Sequence, residues 1–444
     1  MTKRHGYALL AAVLTIVVVV SAAIYIGVTG ADDDTKDQLS ASPRGPRNSA
    51  APASAGTWVG TWSASPAGAE PGTEARGMAG RSVRNVVHTS VGGESARITL
   101  SNLYGTQPLT VTHASVAVAT ASNNPTAAAG TLRRLTFRGD TSVVIQPGQQ
   151  IVSDAVRLRV PHDADLLVTT FSPTASGPVT YHPHARQISY VADGDHTEDP
   201  SGSAYHEQSP YWRYLSAVDV LSNETDGTVV VIGDSITDGI TSTMGANRRW
   251  TDVLADRLRQ EAGAPRYSVV NQGISGNRVL SDGRPGARGG PGANPSGLAR
   301  FGRDVLGRTG VKAVVIALGI NDILRNPQET DPRRITDGLR ELTRQAHARG
   351  LRVVGATLMP FGGHRGYTPA LEGVRQAVNK EIRSGKVFDA VVDFDKALRD
   401  PYDPRALLDR YDSGDNLHPS DEGFRRMGQA FNPADLKGSS AAEL

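Results

Sequence analysis

The feature that most constrains the fold is an apolar run ending in a small polar turn, and over residues 228–239 it reads T-V-V-V-I-G-D-S-I-T-D-G. The run has the composition of a strand buried on both faces, which is typical of parallel sheets covered by helices. Such a strand places Ser235 at the carboxyl edge of the sheet, where open α/β sheets keep their ligands. The sequence therefore predicts an α/β sheet with a serine at its binding edge.

Residues 223–436 continue in this pattern of alternating strands and helices. Apolar runs of strand length occupy residues 229–232, 267–271, 313–318, 351–358 and 388–394. Between them, apolar residues recur at helical spacing, as in Trp250, Val253, Leu254 and Leu258 and again in Ile335, Leu339, Leu342 and Ala346. We expect five parallel strands in a doubly wound sheet. The Gly-, Pro- and Arg-rich residues 281–297 are expected to form an exposed loop, either beside the site or as a surface insertion.

Residues 57–222 have a different pattern of short alternating runs separated by turn residues. Strand candidates occupy residues 84–89, 95–101, 109–119, 132–137, 156–160, 165–171 and 187–192. No convincing helix of ten residues occurs among them. This pattern favours an all-β sandwich or jelly roll ahead of the α/β domain. At the other end, residues 437–444 are expected to be a flexible tail.

The N-terminus has the pattern of an export signal. Lys3 and Arg4 precede an uncharged, mostly apolar run that begins at Tyr7 and ends at Thr29. Because the run is long enough to span a bilayer, residues 1–30 are either a cleaved signal peptide or a retained membrane tether. Residues 31–56 contain few large apolar side chains and are expected to be a disordered linker. We therefore expect a protein that is secreted or tethered to the outer face of the cell membrane.

Composition excludes several other classes of protein. The 47 Lys and Arg residues nearly balance the 45 Asp and Glu residues, leaving a formal net charge of +2, and no nucleic-acid partner is expected. The chain has no cysteine, which excludes a thiol nucleophile, a disulfide framework and a thiolate metal site. At 444 residues it is long enough for two folded units.

A serine nucleophile needs a base and a group that orients the base. Near the C-terminus, Asp415 stands three residues before His418, a spacing at which one turn can bring the carboxylate to the imidazole. Asp412 is a rival orienter, but its larger separation makes the local turn less direct. Ser420 is expected to cap a helix over residues 421–430, which would hold the histidine at a helix entrance.

An oxyanion also needs hydrogen-bond donors that point at one place. The Ser235 amide is one candidate, the amide of Gly273 is a second, and the side chain of Asn321 is a third. All three follow apolar runs and would lie at the carboxyl ends of strands. For each motif alone, the structural alternative is equally good, because the glycine can simply turn the chain and Asn321 can cap the next helix.

Together these blocks resemble the SGNH hydrolases, also called GDSL esterases and lipases, which are named for shared Ser, Gly, Asn and His residues. The resemblance covers about half the chain, and the motifs occur in the family's order at Ser235, Gly273, Asn321 and His418. It implies a flavodoxin-like three-layer domain with a five-stranded parallel sheet. It also implies Ser235 as nucleophile, His418 as base and Asp415 as its orienter, with the Ser235 amide, Gly273 and Asn321 as oxyanion donors.

Residues 58–62 and 88–93 also resemble the β-domain that precedes the catalytic domain in a secreted bacterial subfamily of acylhydrolases and arylesterases. This resemblance implies that the β-domain shapes a substrate cleft or binds carbohydrate. We expect an extracytoplasmic serine esterase that hydrolyses short-chain, aryl or carbohydrate O-acyl esters through an acyl-enzyme, without a metal or cofactor. A lipase for longer acyl chains, an O-acyltransferase and a non-catalytic glycan-binding protein are the alternatives.

The remaining polar motifs are interpreted as structural. Residues 193–199 have some of the spacing of a calcium loop, but Glu198 replaces the glycine that the turn needs. His182 and His184 are expected in a solvated loop. Ser275 has no partner motif and is expected to be structural.

Overall fold

The computed structural model describes residues 56–283 and 292–439, which belong to one compact unit. The predicted signal or tether between Tyr7 and Thr29 lies outside the described residues, as do residues 31–55 of the linker and 440–444 of the tail. Within the two described ranges, no helix has the length and apolar character needed to cross a membrane. Below, residues 57–222 are called the β-region and residues 227–436 the α/β region.

The β-region consists of antiparallel sheets around an apolar core. Its strands are β1 Thr57–Ser63, β2 Gly68–Ala69, β3 Arg81–His88, β4 Gly93–Ser101, β5 Leu109–Val111, β6 His113–Val118, β7 Arg133–Arg134, β8 Val143–Ile145, β9 Gln150–Val152, β10 Val156–Val160, β11 Asp165–Ser172, β12 Thr180–His182, β13 Ser189–Asp193, β14 Glu207–Ser209, β15 Trp212–Arg213 and β16 Leu215–Ser222. One large sheet has the order β1-β16-β4-β10, with β9 also on β4, and the other has the order β14-β13-β3-β11-β6-β7. Smaller sheets pair β15-β12-β2 and β5-β8.

Apolar side chains from the two large sheets meet in one core. Ile98 on β4, Val218 on β16 and Val168 on β11 are all 0% exposed and belong to the same cluster. Buried and exposed positions alternate on β10, whereas β11 is buried along nearly its whole length. The predicted all-β sandwich is confirmed.

The α/β region is a parallel sheet with helices on both faces. Its strands are β17 Gly227–Gly233, β18 Tyr267–Gly273, β19 Val311–Ala317, β20 Arg352–Ala356 and β21 Ala390–Val392. Its helices are α1 Ser235–Asp238, α2 Trp250–Gln260, α3 Gly297–Phe301, α4 Ile320–Leu324, α5 Pro332–His347, α6 Pro369–Arg383, α7 Phe394–Leu398 and α8 Asp421–Ala430, with a π-helical turn at Gly302–Leu306 and 3₁₀ turns at Asp409–Tyr411 and Pro433–Leu436. The spatial order β18-β17-β19-β20-β21 is the flavodoxin-like order.

The central strand is buried on both faces, as its composition predicts. Val230 and Ile232 pack into one apolar cluster with α5 and α6, and Val229 and Val231 pack into another with α2 and α8. All four side chains are 0% exposed. The predicted three-layer, five-stranded fold is therefore confirmed.

Local signals placed some helices well and missed others. Helix α8 spans Asp421–Ala430 as predicted, and the Ser420 hydroxyl accepts a hydrogen bond from the Gly423 amide at 3.2 Å. The two faces read from helical spacing correspond to α2 and α5. Helix α6 was not predicted, although Thr368 caps it and a proline begins it.

One predicted strand of the β-region is divided in the structure. Residues 109–119 form two strands because the chain changes partner at Thr112, with β5 pairing β8 and β6 pairing β11. The Thr112 amide donates to the Phe171 carbonyl at this point. Strand β16, which lies in the middle of its sheet, was missed.

A fully buried arginine connects the two regions beneath the carboxyl edge of the parallel sheet. The Arg300 guanidinium donates to the carbonyls of Gly233 (3.1 Å) and Gln272 (2.7 Å), which lie at the ends of β17 and β18. It also donates to the Ser65 hydroxyl of the β-region at 2.8 Å. Burial lowers the pKa of Arg300 to about 10, against the opposing effect of Asp304, so the group is still a cation at neutral pH. Three segments distant in sequence are thereby fixed to one planar group.

We predict that Gly355→Ala on β20 lowers the free energy of unfolding by about 1–3 kcal/mol, because overpacking a filled core carries that cost. A Cβ at this position would overlap the ring of buried Phe388. The measurement is urea unfolding. Gly373→Ala is the matched control, because Gly373 is exposed within α6 with nothing near its Cβ position. This control should raise stability by about 0.5–1 kcal/mol through helix propensity, and equal effects of the two variants would contradict the prediction.

Candidate active site

The turn after β17 presents Ser235 at the carboxyl edge of the sheet. Ser235 is the first residue of α1, and the Asp234 carboxylate caps this helix by accepting the Ile236 amide at 3.0 Å. A side chain at Gly233 would collide with Thr237, which explains why the tight turn needs glycine here. Ser235 is 8% exposed, so the residue is mostly buried and keeps a small area in contact with solvent.

The hydroxyl of Ser235 lies against a histidine from the other end of the region. His418 Nε2 is 2.8 Å from Ser235 Oγ, and His418 Nδ1 is 2.5 Å from Asp415 Oδ2. Because an ionised carboxylate only accepts hydrogen bonds, Nδ1 carries the hydrogen and Nε2 presents its lone pair to the serine. This arrangement suits proton transfer from the serine to the imidazole. The structure brings together the three side chains that the sequence indicated.

Asp415 is held ionised by its local turn. Its Oδ1 accepts the amides of Leu417 (3.0 Å) and His418 (2.8 Å). Burial alone would raise the pKa of Asp415, but the amide and the ring of His418 outweigh it and lower the pKa. The rival Asp412 instead accepts the Asn416 amide at 3.1 Å. Asp415, and not Asp412, is therefore the carboxylate at the imidazole.

Asn321 lies beside the nucleophile turn with its side-chain amide fixed on both sides. Its Nδ2 is 3.2 Å from Asp234 Oδ2, and its Oδ1 accepts from Arg325 Nε at 2.8 Å. An amide nitrogen carries two hydrogens, so one of them remains for a ligand. The role of Asn321 as an oxyanion donor stays a prediction.

Gly273 lies at the predicted strand end, but its amide already has a partner. The amide donates to Asn271 Oδ1 at 2.8 Å. A side chain at Gly273 would collide with the α1 backbone at Asp238, so the glycine is needed for close packing of α1 on β18. In this arrangement its hydrogen is not available to an oxyanion, and the predicted role of Gly273 is corrected accordingly.

A second glycine in the same motif has the amide that Gly273 does not offer. Gly276 has a φ of 77° in a turn closed by the Asn277 amide and the Ile274 carbonyl at 3.0 Å. Within the described ranges, no group accepts a hydrogen bond from the Gly276 amide. Arg325, which also holds Asn321, packs against Gly276 so closely that a Cβ would lie 2.9 Å from its Cζ. Sequence reasoning missed this residue, although a glycine followed by asparagine was a signal for such a turn.

Comparison with known families matches the part of the chain that builds this site. Residues 231–426 match the model of the GDSL-like lipase/acylhydrolase family. This part of the chain belongs to that family. The GDSL-like region, as residues 231–426 are called from here on, contains Ser235, Asn321 and the Asp415–His418 pair. It is a carboxylic ester hydrolase by family.

Solved structures are similar to about half of this chain. A GDSL-like lipase from Bacteroides thetaiotaomicron is 20% identical, and the match covers 47% of this chain and 88% of that one with a TM-score of 0.34. The acetylxylan esterase Axe2 from Geobacillus stearothermophilus is 22% identical, with coverage of 47% and 93% and a TM-score of 0.35. No curated protein sequence matches this chain significantly.

Side chains of two polar motifs outside the GDSL-like site are engaged in hydrogen bonds. The expectation that His182 lies in a solvated loop is wrong, because this residue is 3% exposed and bonds to Asp238 and to the Ser65 carbonyl. In the calcium-like loop, Asp195 is engaged by Thr197 and His113. Among the residues that the structure describes, no cluster of three or more His, Asp or Glu side chains could hold a metal ion.

Two buried carboxyl groups flank the catalytic edge. Burial raises the pKa of Asp234 and of Asp322 to about 6. Asp322 lies next to Asn321 and accepts the amides of Val279 (2.8 Å) and Leu280 (3.0 Å). These bonds partly offset the burial and tie the chain after β18 to the start of α4.

We predict that wild-type stability relative to Asp322→Asn falls as pH rises from about 4 to 6, by about 2–3 kcal/mol. The pKa of Asp322 is about 6 when folded against 3.8 ordinarily, so the unfolded chain loses its proton first and rising pH favours unfolding. Above pH 6 Asp322 is ionised in both the folded and the unfolded chain, so the stability difference between wild type and Asp322→Asn becomes constant. Urea unfolding of both proteins at several pH values measures this difference.

Asp154→Asn provides the control of opposite sign. Hydrogen bonds from Thr136 and Gly139 lower the pKa of Asp154, so wild type should gain stability over this variant as pH rises through the acid range. A pH-independent difference between wild type and Asp322→Asn would contradict the prediction.

Proposed function

We propose that the protein hydrolyses short-chain acyl esters of aryl or carbohydrate alcohols through an acyl-enzyme on Ser235. The observation that carries this proposal is the continuous chain of contacts from Asp415 through His418 to the Ser235 hydroxyl. An imidazole oriented by an ionised carboxylate is the base that a serine nucleophile needs. Family membership supplies the reaction class, and the geometry supports the assignment of roles within it.

The proposed reaction proceeds in two halves. Ser235 Oγ attacks the acyl carbonyl carbon while His418 Nε2 takes the hydroxyl proton, and Asp415 stabilises the resulting imidazolium. The tetrahedral intermediate collapses, the ester bond breaks, and His418 returns the proton to the departing alcohol. Water then attacks the acyl-enzyme, His418 takes its proton, and release of the acid restores the Ser235 hydroxyl.

Three donors are proposed to stabilise the oxyanion. The Ser235 amide belongs to the first turn of α1, where amides have no partner within the helix. The Gly276 amide and the free Nδ2 hydrogen of Asn321 supply the other two. All are neutral and fixed before substrate arrives, which is the condition under which such donors favour the transition state.

A small apolar cavity beside the nucleophile turn is an argument for a substrate with a short acyl group. The cavity, of about 20 Å³, adjoins the nucleophile turn at Asp234 and Ile236. Its other lining side chains include Leu358 and Met427. So small a space favours an acyl group of a few carbons over a long chain.

An extracytoplasmic location is proposed from the sequence alone. Its support is the basic start at Lys3 and Arg4, followed by the apolar run that Tyr7 begins and Thr29 ends. Whether the run is cleaved or retained as a tether decides between a secreted and a membrane-held enzyme. N-terminal sequencing of the exported protein distinguishes these outcomes.

We predict that the protein hydrolyses p-nitrophenyl acetate and butyrate faster than the palmitate ester, and that Ser235→Ala and His418→Ala abolish this activity. Removing a triad member leaves only binding and the oxyanion donors, with a loss of about four to six orders of magnitude in kcat. Ser384→Ala, an exposed serine after α6, is the control and should be unaffected. A long-chain optimum would indicate a lipase, and folded but inactive wild type would contradict the proposed function.

We predict that Asn321→Ala lowers kcat by about two to three orders of magnitude with a smaller effect on KM, because a lost oxyanion donor acts mainly in the transition state. Steady-state kinetics on p-nitrophenyl acetate measures the effect. Asn432→Ala serves as the control, because this asparagine caps the 3₁₀ turn at Pro433–Leu436. Equal kcat values for Asn321→Ala and wild type would remove Asn321 from the oxyanion site.

A further inference from the structure

A buried carboxylate at the end of the nucleophile helix links the two regions. Asp238 is the last residue of α1, three positions after Ser235, and is 3% exposed. Its Oδ1 is 2.9 Å from His182 Nε2, and its Oδ2 accepts the Ser275 amide at 2.9 Å and the Ser275 hydroxyl at 2.7 Å. One side chain therefore joins the β-region to the turn that contains Gly276.

Both ring nitrogens of the histidine in this link have partners. His182 ends strand β12, and its Nδ1 donates to the Ser65 carbonyl oxygen at 2.9 Å, because a carbonyl only accepts. Burial alone would raise the pKa of Asp238, but the interaction with His182 outweighs it and lowers the pKa. His182 and Asp238 thus form a buried hydrogen-bonded pair.

Ser275 matters because of the peptide unit that follows it. The Ser275 carbonyl and the Gly276 amide belong to one rigid, planar group and point in opposite directions. The side-chain Nδ2 of Asn294 donates to the Ser275 carbonyl at 3.1 Å. The backbone amide of Asn294 donates to the Ala67 carbonyl of the β-region at 2.8 Å. The β-region therefore holds this peptide unit through two independent links.

We propose that His182 is a positioning residue for catalysis, through which the β-region fixes Asp238, Ser275 and the Gly276 amide. The proposal rests on the proposed function, because it assigns Gly276 to the oxyanion site. On this proposal the β-region helps to position groups of the active site, beyond shaping a cleft or binding carbohydrate. Without His182, the Asp238 carboxylate loses a hydrogen-bond partner and its orientation, and the oxyanion turn loses a fixed support.

Two substitutions separate the links that His182 makes. His182→Asn keeps a donor near the Nδ1 position, facing Ser65, and loses the bond to Asp238. His182→Gln keeps a donor near the Nε2 position, facing Asp238. Both variants replace the imidazole with a neutral amide, so their losses of stability should be similar, and a difference in kcat reports the link to Asp238.

The experiment measures p-nitrophenyl acetate hydrolysis by the full chain below the melting temperature of each variant. We expect His182→Asn to lower kcat roughly 10–100-fold with KM within about threefold, because a misplacement of about 1 Å costs up to that factor. His182→Gln should recover most of this loss. Glu70→Gln breaks the buried pair with Arg213 inside the β-region and should lower Tm while leaving kcat unchanged.

Equal kcat values for His182→Asn, His182→Gln and wild type would overturn the proposal. If His182→Asn does not fold, Ser275→Ala tests the same link from the other side and should lower kcat roughly 3–10-fold through looser positioning. Unchanged kcat in that variant would also overturn it. Wild-type activity that Ser235→Ala abolishes tests the proposed function separately.

Hydrogen exchange gives a readout that needs no activity. The Ser275 amide donates to Asp238, so amide exchange in residues 270–279 should accelerate in His182→Asn and not in Glu70→Gln. Unchanged exchange in His182→Asn would show that the link from His182 to Asp238 does not hold the turn, whatever the reaction is.

Discussion

The buried Arg300 guanidinium is the interaction on which the catalytic edge depends. It donates to the last carbonyls before two site turns, at Gly233 and Gln272, and to Ser65 of the β-region. Buried carbonyl groups need hydrogen-bond donors, and burying them unpaired would be costly. A cation with five donors in one plane satisfies several at once and fixes their relative positions. Asp304, which is 2% exposed, pairs with Arg300 and lowers the free-energy cost of burying its positive charge.

The acidic groups at the catalytic edge have different roles because their surroundings differ. Asp415 is held ionised at the surface by amides and the His418 ring, while burial raises the pKa of Asp234 and Asp322 to about 6. Asp238, equally buried, has its pKa lowered because of its interaction with His182. These carboxylates thus orient a base, cap the nucleophile helix or connect the two regions. The distinction comes from the neighbours that each one meets.

The sequence predicted the parallel sheet and the sandwich because each depends on local pattern, whereas the roles of Ser235, Asp415 and His418 came from the family resemblance. Val229 to Ile232 are apolar without interruption, Asp415 and His418 lie within one turn, and Ser420 caps α8 through a neighbouring amide. It failed at Gly273, where the amide is bound to Asn271, and at His182, which local polarity placed in solvent. The partners of His182 lie in segments distant in sequence, whereas the Gly273 amide is taken by a side chain only two residues away.

The sequence by itself determined that the central strand is buried, where the nucleophile turn lies and which residues are chemically able to act on an ester. Periodicity and turn chemistry are set by neighbours along the chain, so they can be read without a structure. The tertiary structure decided which donors are free at the oxyanion position and that a histidine from the β-region is tied to the nucleophile helix. Hydrogen-bond donors have fixed directions and short reach, so their partners are decided only when segments hundreds of residues apart come within about 3 Å.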